Sequence, residues 1–169
     1  YWKRGNTDAA EQEWLEAVKL APRNAIIQNN LGLVATKRKR YAEAVAYFRR
    51  AMQLKPSYTA PHLNLGVAYG EMGGAKEAEL HLRAAVALSP LNVYARNQLG
   101  QLFFTAGRWA EAEEQFLRSV ESEANLIGYR GLGEINLRRA YQARAEQAFR
   151  HAVALDPHDS QARFGLAAT

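Results

Sequence analysis

Few of the side chains that commonly carry catalysis or metal binding occur in this sequence, and they are dispersed. The chain of 169 residues has no cysteine, which excludes disulfides, thiolate metal sites and a cysteine nucleophile. Its four histidines share no metal-ligand spacing. Glu111, Glu113 and Glu114 are closely spaced carboxylates, and a solvated helix face explains them better than acid–base catalysis. The sequence therefore predicts no enzyme site, no metal and no cofactor.

The stretch GYRGLG at residues 128–133 is rich in glycine and could suggest a phosphate-binding loop. Such a loop needs a strand before it and a helix N-terminus beneath it. The surrounding pattern instead predicts the start of a helix, and Gly133 belongs to a repeat described below. Nucleotide binding is therefore not predicted.

The charge of the chain is modest and dispersed. There are 22 basic and 17 acidic residues, a net charge of +5. A nucleic-acid-binding protein gathers its basic residues on one face, whereas the only dense run here is Lys37 to Arg40. We interpret this run as a solvated turn, with contact to acidic partners or anionic lipid as the less favoured alternative. No nucleic-acid partner is predicted.

An internal repeat runs through the chain. The pair Leu-Gly recurs four times, with its glycines 34, 34 and 33 residues apart, at Gly32, Gly66, Gly100 and Gly133. A large apolar residue follows each glycine by 16 positions, an alanine lies four positions before that residue, and a proline closes most units. The large apolar residues are Phe48, Leu82, Phe116 and Phe149, the alanines are Ala44, Ala78, Ala112 and Ala145, and the prolines are Pro22, Pro56, Pro90 and Pro157.

These landmarks resemble the tetratricopeptide repeat, a helix–turn–helix unit of 34 residues. The departures are few: Ala124 stands where a closing proline is expected, and Ala35 and Asn136 replace the usual aromatic residue. The resemblance implies an all-α fold, a right-handed superhelical solenoid of antiparallel helical hairpins. Because the chain begins with Tyr1 rather than Met, we expect a piece of a longer protein. From the family resemblance, we expect that protein to be bacterial. We expect one domain with a partial repeat at 1–24, full repeats at 25–58, 59–92, 93–125 and 126–159, and half a repeat at 160–169.

The residues predict the same helices on physical grounds. Apolar residues at helical spacing fill two segments in each unit. Each proline ends a second helix because it lacks an amide proton and disfavours helical geometry in the residue before it. Asn24, Asn92 and Asp159 lie two residues beyond a proline, where their side chains can cap the next helix. We expect Phe48 and Phe116 to be buried wedges between helices.

In tetratricopeptide proteins the first helix of each hairpin lines a concave groove, and the resemblance implies that ligands bind there. The resemblance also implies which positions relative to the repeat glycines face the groove, and the residues there give a neutral groove with amides on successive helices and aromatic anchors near its centre. The candidate residues are Asn29, Asn30, Asn64, Tyr94, Asn97, Gln98, Gln101, Phe104 and Arg130. A side-chain amide offers both a donor and an acceptor to a peptide backbone. Two alternatives stay open: the amides bond neighbouring helices, and Tyr94 and Phe104 pack within the fold.

The expected partner is a protein or a peptide. Members of the family that hold the acidic tails of heat-shock chaperones use a clamp of Lys, Arg and Asn on successive first helices. The corresponding positions here are Ile26, Ala60 and Tyr94, with no cation until Arg130. The carboxylate clamp is absent, so chaperone tails are not the predicted ligand.

Two other functions compete with peptide binding. One is self-assembly into a homo-oligomer through exposed ends of the solenoid. The other is an accessory role in an enzyme, since the sequence is similar in style to the helical-repeat tails of bacterial membrane-embedded, mannosyltransferase-like proteins. The sequence leaves the location open between the cytoplasm and attachment to a membrane protein.

Overall fold

The computed structural model describes residues 7–169, and within that range the chain consists of helices without a β-strand. The helices are α1 (Thr7–Leu20), α2 (Ala25–Lys37), α3 (Tyr41–Leu54), α4 (Thr59–Glu71), α5 (Ala75–Leu88), α6 (Val93–Thr105), α7 (Trp109–Ser122), α8 (Leu126–Arg138), α9 (Gln142–Leu155) and α10 (Ser160–Ala167). The predicted all-α class of helical repeats is confirmed. In the described range, no helix combines the length and the apolar character that a membrane crossing requires.

The chain divides into two compact units, the first ending at Ser89 and the second beginning at Pro90. In the first unit, α2 pairs with α3 and α4 with α5, and α1 and α3 pack on the hairpins that follow them. In the second unit, α6 pairs with α7 and α8 with α9, and α9 packs on α10. Each unit is therefore a stack of antiparallel hairpins. The repeat bounds and the single domain stay predictions.

Large side chains of the second helices fill the space between neighbouring helices. Phe48 and Phe116 have no exposed surface, as expected for wedges. A Cβ atom at Gly32 would lie 2.4 Å from Cε1 of Phe48, a distance that no real contact tolerates. The repeat glycine is therefore required because the aromatic ring of the second helix lies directly against the backbone of the first helix.

The predicted helix caps are confirmed. Asn24 Oδ1 accepts hydrogen bonds from the amides of residues 26 and 27, Asn92 Oδ1 accepts from that of residue 95, and Asp159 Oδ1 accepts from that of residue 162. Asn125 caps α8 in the same way, accepting from the amide of Gly128 at 2.8 Å. The first helix that follows the repeat without a closing proline is therefore still capped.

The turn inside each hairpin requires a left-handed backbone at one position. That position is held by Lys39, Gly73, Gly107 and Ala140, whose φ angles are 58°, 78°, 73° and 60°. Glycine adopts this geometry without strain, whereas for a residue with a Cβ it costs about 1–2 kcal/mol. Two of the four turns therefore carry a strained residue.

The basic run at Lys37 to Arg40 takes part in ion pairs. Arg38 contacts Asp8 and lies 2.8 Å from Glu11, and Arg40 contacts Glu11 and lies 3.0 Å from Glu43. Two of the cations thus fasten α1 to the hairpin that follows it. This pairing goes beyond the predicted solvated turn and lowers the charge available to an anionic partner.

Candidate functional site

In the first unit, one candidate pair of amides bonds two first helices to each other. Asn29 is 3 % exposed, and its Oδ1 accepts a hydrogen bond from Asn64 Nδ2 at 2.9 Å. This bond ties α2 to α4. Asn30 is half-buried, and its side chain makes no hydrogen bond to any residue of the described range. The side chain of Asn30 and Oδ1 of Asn64 are thus candidate amide groups without a hydrogen-bond partner in the described range.

In the second unit, Asn97 serves the next repeat. It is 3 % exposed, and its Nδ2 donates to Oδ1 of Asn125 at 2.8 Å. Because Asn125 also caps α8, Asn97 holds the start of that helix in place. Its own Oδ1 is buried, with no hydrogen-bond partner among residues 7–169.

Arg130 makes the corresponding contact one repeat later. Its Nη1 lies 3.1 Å from Oδ2 of Asp159, the cap of α10, and the two side chains are 25 % and 15 % exposed. Asn29, Asn97 and Arg130 all lie three residues before a repeat glycine. These three polar residues each bond the next first helix or its cap, which leaves them little surface for a ligand, whereas Leu63 holds the same position on α4.

The other candidates are more accessible. Tyr94 is 49 % exposed, Gln101 is exposed, and Gln98 is half-buried; neither glutamine makes a side-chain hydrogen bond within the described chain. Phe104 is half-buried, with the guanidinium carbon of Arg138 5.1 Å from its ring centroid. The alternative that these aromatic residues pack within the fold therefore applies to Phe104, which contacts α8, better than to Tyr94.

Sequence reasoning missed part of this surface. A depression of about 700 Å³ between α8 and α10 is lined by Glu134, Leu137, Arg138, Gln161 and Phe164, among others. Gln161 and Phe164 follow Ile127 and Arg130 by 34 positions. Extending the repeat register into α10 would have found them.

A polar aromatic cluster lies between α3, α4 and α5 of the first unit. His62 and His81 have ring centroids 5.6 Å apart, and His81 stacks on Tyr69 at 5.7 Å. Tyr69 Oη accepts a hydrogen bond from Arg49 Nη2 at 2.7 Å. Burial lowers the pKa of both histidines, and for His81 the nearby His62 and Arg49 lower it further. Both Nδ1 atoms are buried and have no partner in the described residues.

The stretch at residues 128–133 lies within the first turns of α8. Gly131 and Gly133 pack on the rings of Phe116 and Phe149, since a Cβ at either glycine would lie 2.5 or 2.7 Å from those rings. The glycines therefore serve helix packing and form no phosphate loop.

Comparison with curated proteins gives a relative that matches most of the chain. Protein O-mannosyl-transferase TMTC3 of Mus musculus is 25 % identical over 171 residues, which cover 91 % of this chain and 18 % of that protein. This chain thus spans about a fifth of the relative's length.

Solved structures share the fold at lower identity. The crystal structure of MamA matches with a TM-score of 0.80 at 18 % identity, covering 94 % of each chain. That of YrrB, a TPR protein with an unusual peptide-binding site, matches with a TM-score of 0.74 at 21 % identity, covering 94 % of this chain and 82 % of the other.

The family model of the tetratricopeptide repeat matches residues 1–59 and 63–126, well over half of the sequence. Its match agrees with the Leu-Gly register, the capped hairpins and the wedge residues described above. The chain belongs to the tetratricopeptide repeat family.

Proposed function

We propose that this chain is a protein-interaction scaffold that binds an extended peptide segment on its first helices. The observation that carries the proposal is the recurrence of Asn30, Asn64 and Gln98, the ladder amides, at one repeat position on three consecutive first helices. All three are half-buried rather than buried. Asn30 and Gln98 have no side-chain partner in the described chain, and Asn64 uses only its amino group to bond Asn29.

The chemistry of this surface suits an uncharged backbone. An amide can accept from a peptide N–H and donate to a peptide carbonyl at once. Tyr94 presents a half-exposed ring four residues before Gln98, so one turn of α6 offers both an apolar anchor and an amide. Exposed aromatic rings beside polar groups are frequent energetic centres of protein interfaces.

The likeness to YrrB supports the same class of function, because YrrB is a TPR protein with a peptide-binding site. The residues at the three carboxylate-clamp positions, Ile26, Ala60 and Tyr94, offer no cation. A peptide held through its backbone and apolar side chains fits these residues better than an acidic tail.

The test is a pull-down of native partners with the intact protein, followed by the triple variant Asn30→Ala, Asn64→Ala and Gln98→Ala. Each lost hydrogen bond costs about 0.5–1.5 kcal/mol, so the triple variant weakens binding at least about tenfold. Circular dichroism and light scattering should show unchanged helicity and oligomeric state.

The matched control removes exposed amides from second helices. Gln12 and Gln142 are exposed on α1 and α9, and the double variant Gln12→Ala and Gln142→Ala should bind the partner normally. Glu113 is a poor control because it pairs with Arg139. Normal binding by the ladder variant together with loss in the control variant would show that second helices or the ends of the array recognise the partner.

An accessory role in a larger enzyme is the second candidate, since the relative that matches most of this chain is a mannosyltransferase. A sequence upstream of Tyr1 with a series of membrane-spanning helices would favour it. Self-assembly is tested by light scattering over a dilution series, in which a constant mass would exclude it.

A further inference from the structure

A crevice of about 390 Å³ opens on the second helices of the second unit. We call it the back crevice; it is lined by Leu117 and Val120 of α7, Leu132 and Asn136 of α8, and Ala148 and His151 of α9, among others. None of these residues belongs to the ladder amides or their neighbours. The back crevice therefore needs an explanation of its own.

The first unit shows why the crevice is open. Two repeats earlier, Tyr69 occupies the position of Asn136, and His81 occupies that of Ala148. The rings of Tyr69 and His81 stack with an interplanar angle of 2°. Asparagine and alanine are both smaller than the residues they replace. The back crevice is thus lined at the two repeat positions whose rings stack on each other in the first unit.

A buried polar atom lies beside this space. Asn136 is 5 % exposed, and its Nδ2 donates to the carbonyl oxygen of Leu132 at 2.8 Å. That bond fixes the orientation of the amide, since a flipped amide would set two oxygens against each other. Its Oδ1 is buried, with no hydrogen-bond partner between residues 7 and 169. A buried acceptor without a partner is unfavourable, and a donor from outside the chain can supply the missing hydrogen bond.

The walls favour an uncharged aromatic occupant. Leu117, Val120 and Leu132 supply apolar surface, and Tyr129 stacks on His151 with ring centroids 4.8 Å apart. Glu113, which also lines the crevice, forms an ion pair with Arg139. Arg144 adds a cation to the lining, and a guanidinium is attracted to the face of an aromatic ring. The volume falls within the range of about 300–1,000 Å³ that ligand sites occupy.

We propose that the back crevice binds one aromatic side chain of a partner polypeptide, a tryptophan or a tyrosine. The ring takes the place that the Tyr69 ring has in the first unit, and its N–H or O–H donates to Asn136 Oδ1. Because this oxygen is covered in the free chain, a lining side chain turns aside as the ring enters. The site is independent of the ladder amides, so the chain has two recognition surfaces.

The probe is N-acetyl-tryptophanamide, added to the ¹⁵N-labelled chain and followed by amide chemical shifts. We expect saturable shifts confined to α7, α8 and α9, and at least about tenfold weaker binding of N-acetyl-leucinamide. Free indole should bind no more tightly than the capped tryptophan. Equal binding of the leucine compound would overturn the aromatic assignment, and preference for free indole would assign the crevice to a small molecule instead.

Two variants address the crevice directly. Asn136→Phe fills it with the residue that Phe103 provides at the same repeat position, and should abolish the shifts while the chain stays as stable as before or becomes more stable. Asn136→Leu keeps the space and removes the amide, both the Oδ1 acceptor and the Nδ2 donor to the carbonyl oxygen of Leu132, so it should weaken binding of N-acetyl-tryptophanamide at least about tenfold. Unchanged binding in Asn136→Phe overturns the proposal, and unchanged binding in Asn136→Leu overturns the role of the amide oxygen.

A second copy of this chain is the remaining occupant to test, because Trp109 is 36 % exposed. In that case, raising the protein concentration without a probe reproduces the shifts, and Trp109→Ala removes them. This result would replace the partner polypeptide with self-association. Concentration-independent spectra support a different partner.

Discussion

The two units carry different residues at the position two before the repeat glycine. The first unit has Asn30 and Asn64 there, whereas α8 and α10 of the second unit have Gly131 and Gly165. Asn64 reaches back to Asn29. Gly131 instead lies against Phe116, where a Cβ would be 2.5 Å from Cε2. One repeat position therefore bears an amide throughout the first unit and at Gln98 on α6, and gives close backbone packing on α8 and α10.

This difference marks where the series of amides at this repeat position ends along the chain. The ladder amides end at Gln98, and at the same position on α8 and α10 the backbone lies too close to the rings of Phe116 and Phe149 for a side chain. The tie to the next repeat changes as well: Asn29 binds an amide on the facing helix, whereas Asn97 and Arg130 bind the caps of α8 and α10. In the second unit, the side-chain hydrogen bonds between repeats are therefore made to the N-terminal caps of the next first helices.

The largest effect is expected where the wedge contacts two helices. Phe116 meets both Gly100 and Gly131, and Phe116→Ala should lower the free energy of unfolding by about 3–5 kcal/mol. In the first unit, Leu82→Ala should cost less, because Leu82 is a smaller wedge against Gly66. Urea denaturation of both variants measures the difference.

Leu155→Ala is the control for the wedge variants, because Leu155 is 47 % exposed on α9 and its loss should fall within about 0.5 kcal/mol. Since repeats stabilise their neighbours, the Phe116 variant is also expected to unfold over a broader denaturant range. A midpoint equal to that of the control would mean that Phe116 is not a core residue.

Much of this arrangement could be predicted from the sequence. The Leu-Gly register and the prolines predicted the hairpins, and asparagine or aspartate after a proline predicted three caps. These signals are local: each residue acts on a neighbour within a few positions or on its own hairpin partner. The all-α class followed from them, and the wedge position of Phe48 and Phe116 followed from the spacing to the glycines.

The assignment of the polar residues could not be completed from the sequence. Asn29 and Asn30 are adjacent and of the same type, yet one is buried in a bond to Asn64 and the other remains free. Which of them faces the next helix depends on the packing angle between α2 and α4, and that angle cannot be predicted from the amino-acid types alone. The cap formed by Asn125 was missed for a related reason, because the missing proline removed the landmark that identified the other caps.

An intermediate effect is expected from Gly131→Ala. Alanine normally stabilises a helix relative to glycine by about 1 kcal/mol, but here the new methyl group meets the Phe116 ring, and overpacking costs about 1–3 kcal/mol. We expect net destabilisation in urea denaturation. Combining the change with Phe116→Leu, the wedge type of Leu82, should relieve most of the loss, so the two changes should be strongly non-additive.

Asn64→Ala at the same repeat position provides the contrast. It should destabilise by leaving Asn29 Oδ1 unpaired, and Asn29→Leu should relieve that loss, since Leu63 shows that leucine fits the position. If Phe116→Leu rescued the Asn64 variant as well as it rescued the Gly131 variant, the two units would not differ in the way described.

The smallest effect is a pH dependence that belongs to the first unit. His62 and His81 have lowered pKa values, caused first by burial, whereas the unfolded chain titrates near the ordinary value of about 6.5. The unfolded state therefore binds more protons below that pH, so this contribution to stability is complete above about pH 6.5 and is lost as the pH falls toward the lowered pKa values.

The urea midpoint should decrease between pH 7.5 and 5.5. The double variant His62→Gln and His81→Gln should reduce this decrease, and Gln28 and Gln115, at the same repeat positions, indicate that glutamine is accommodated. Equal slopes of midpoint against pH in the parent chain and the double variant would assign the pH dependence to other groups. The second unit lacks this histidine pair, since α8 and α9 have Tyr129 and Ala148 at these positions.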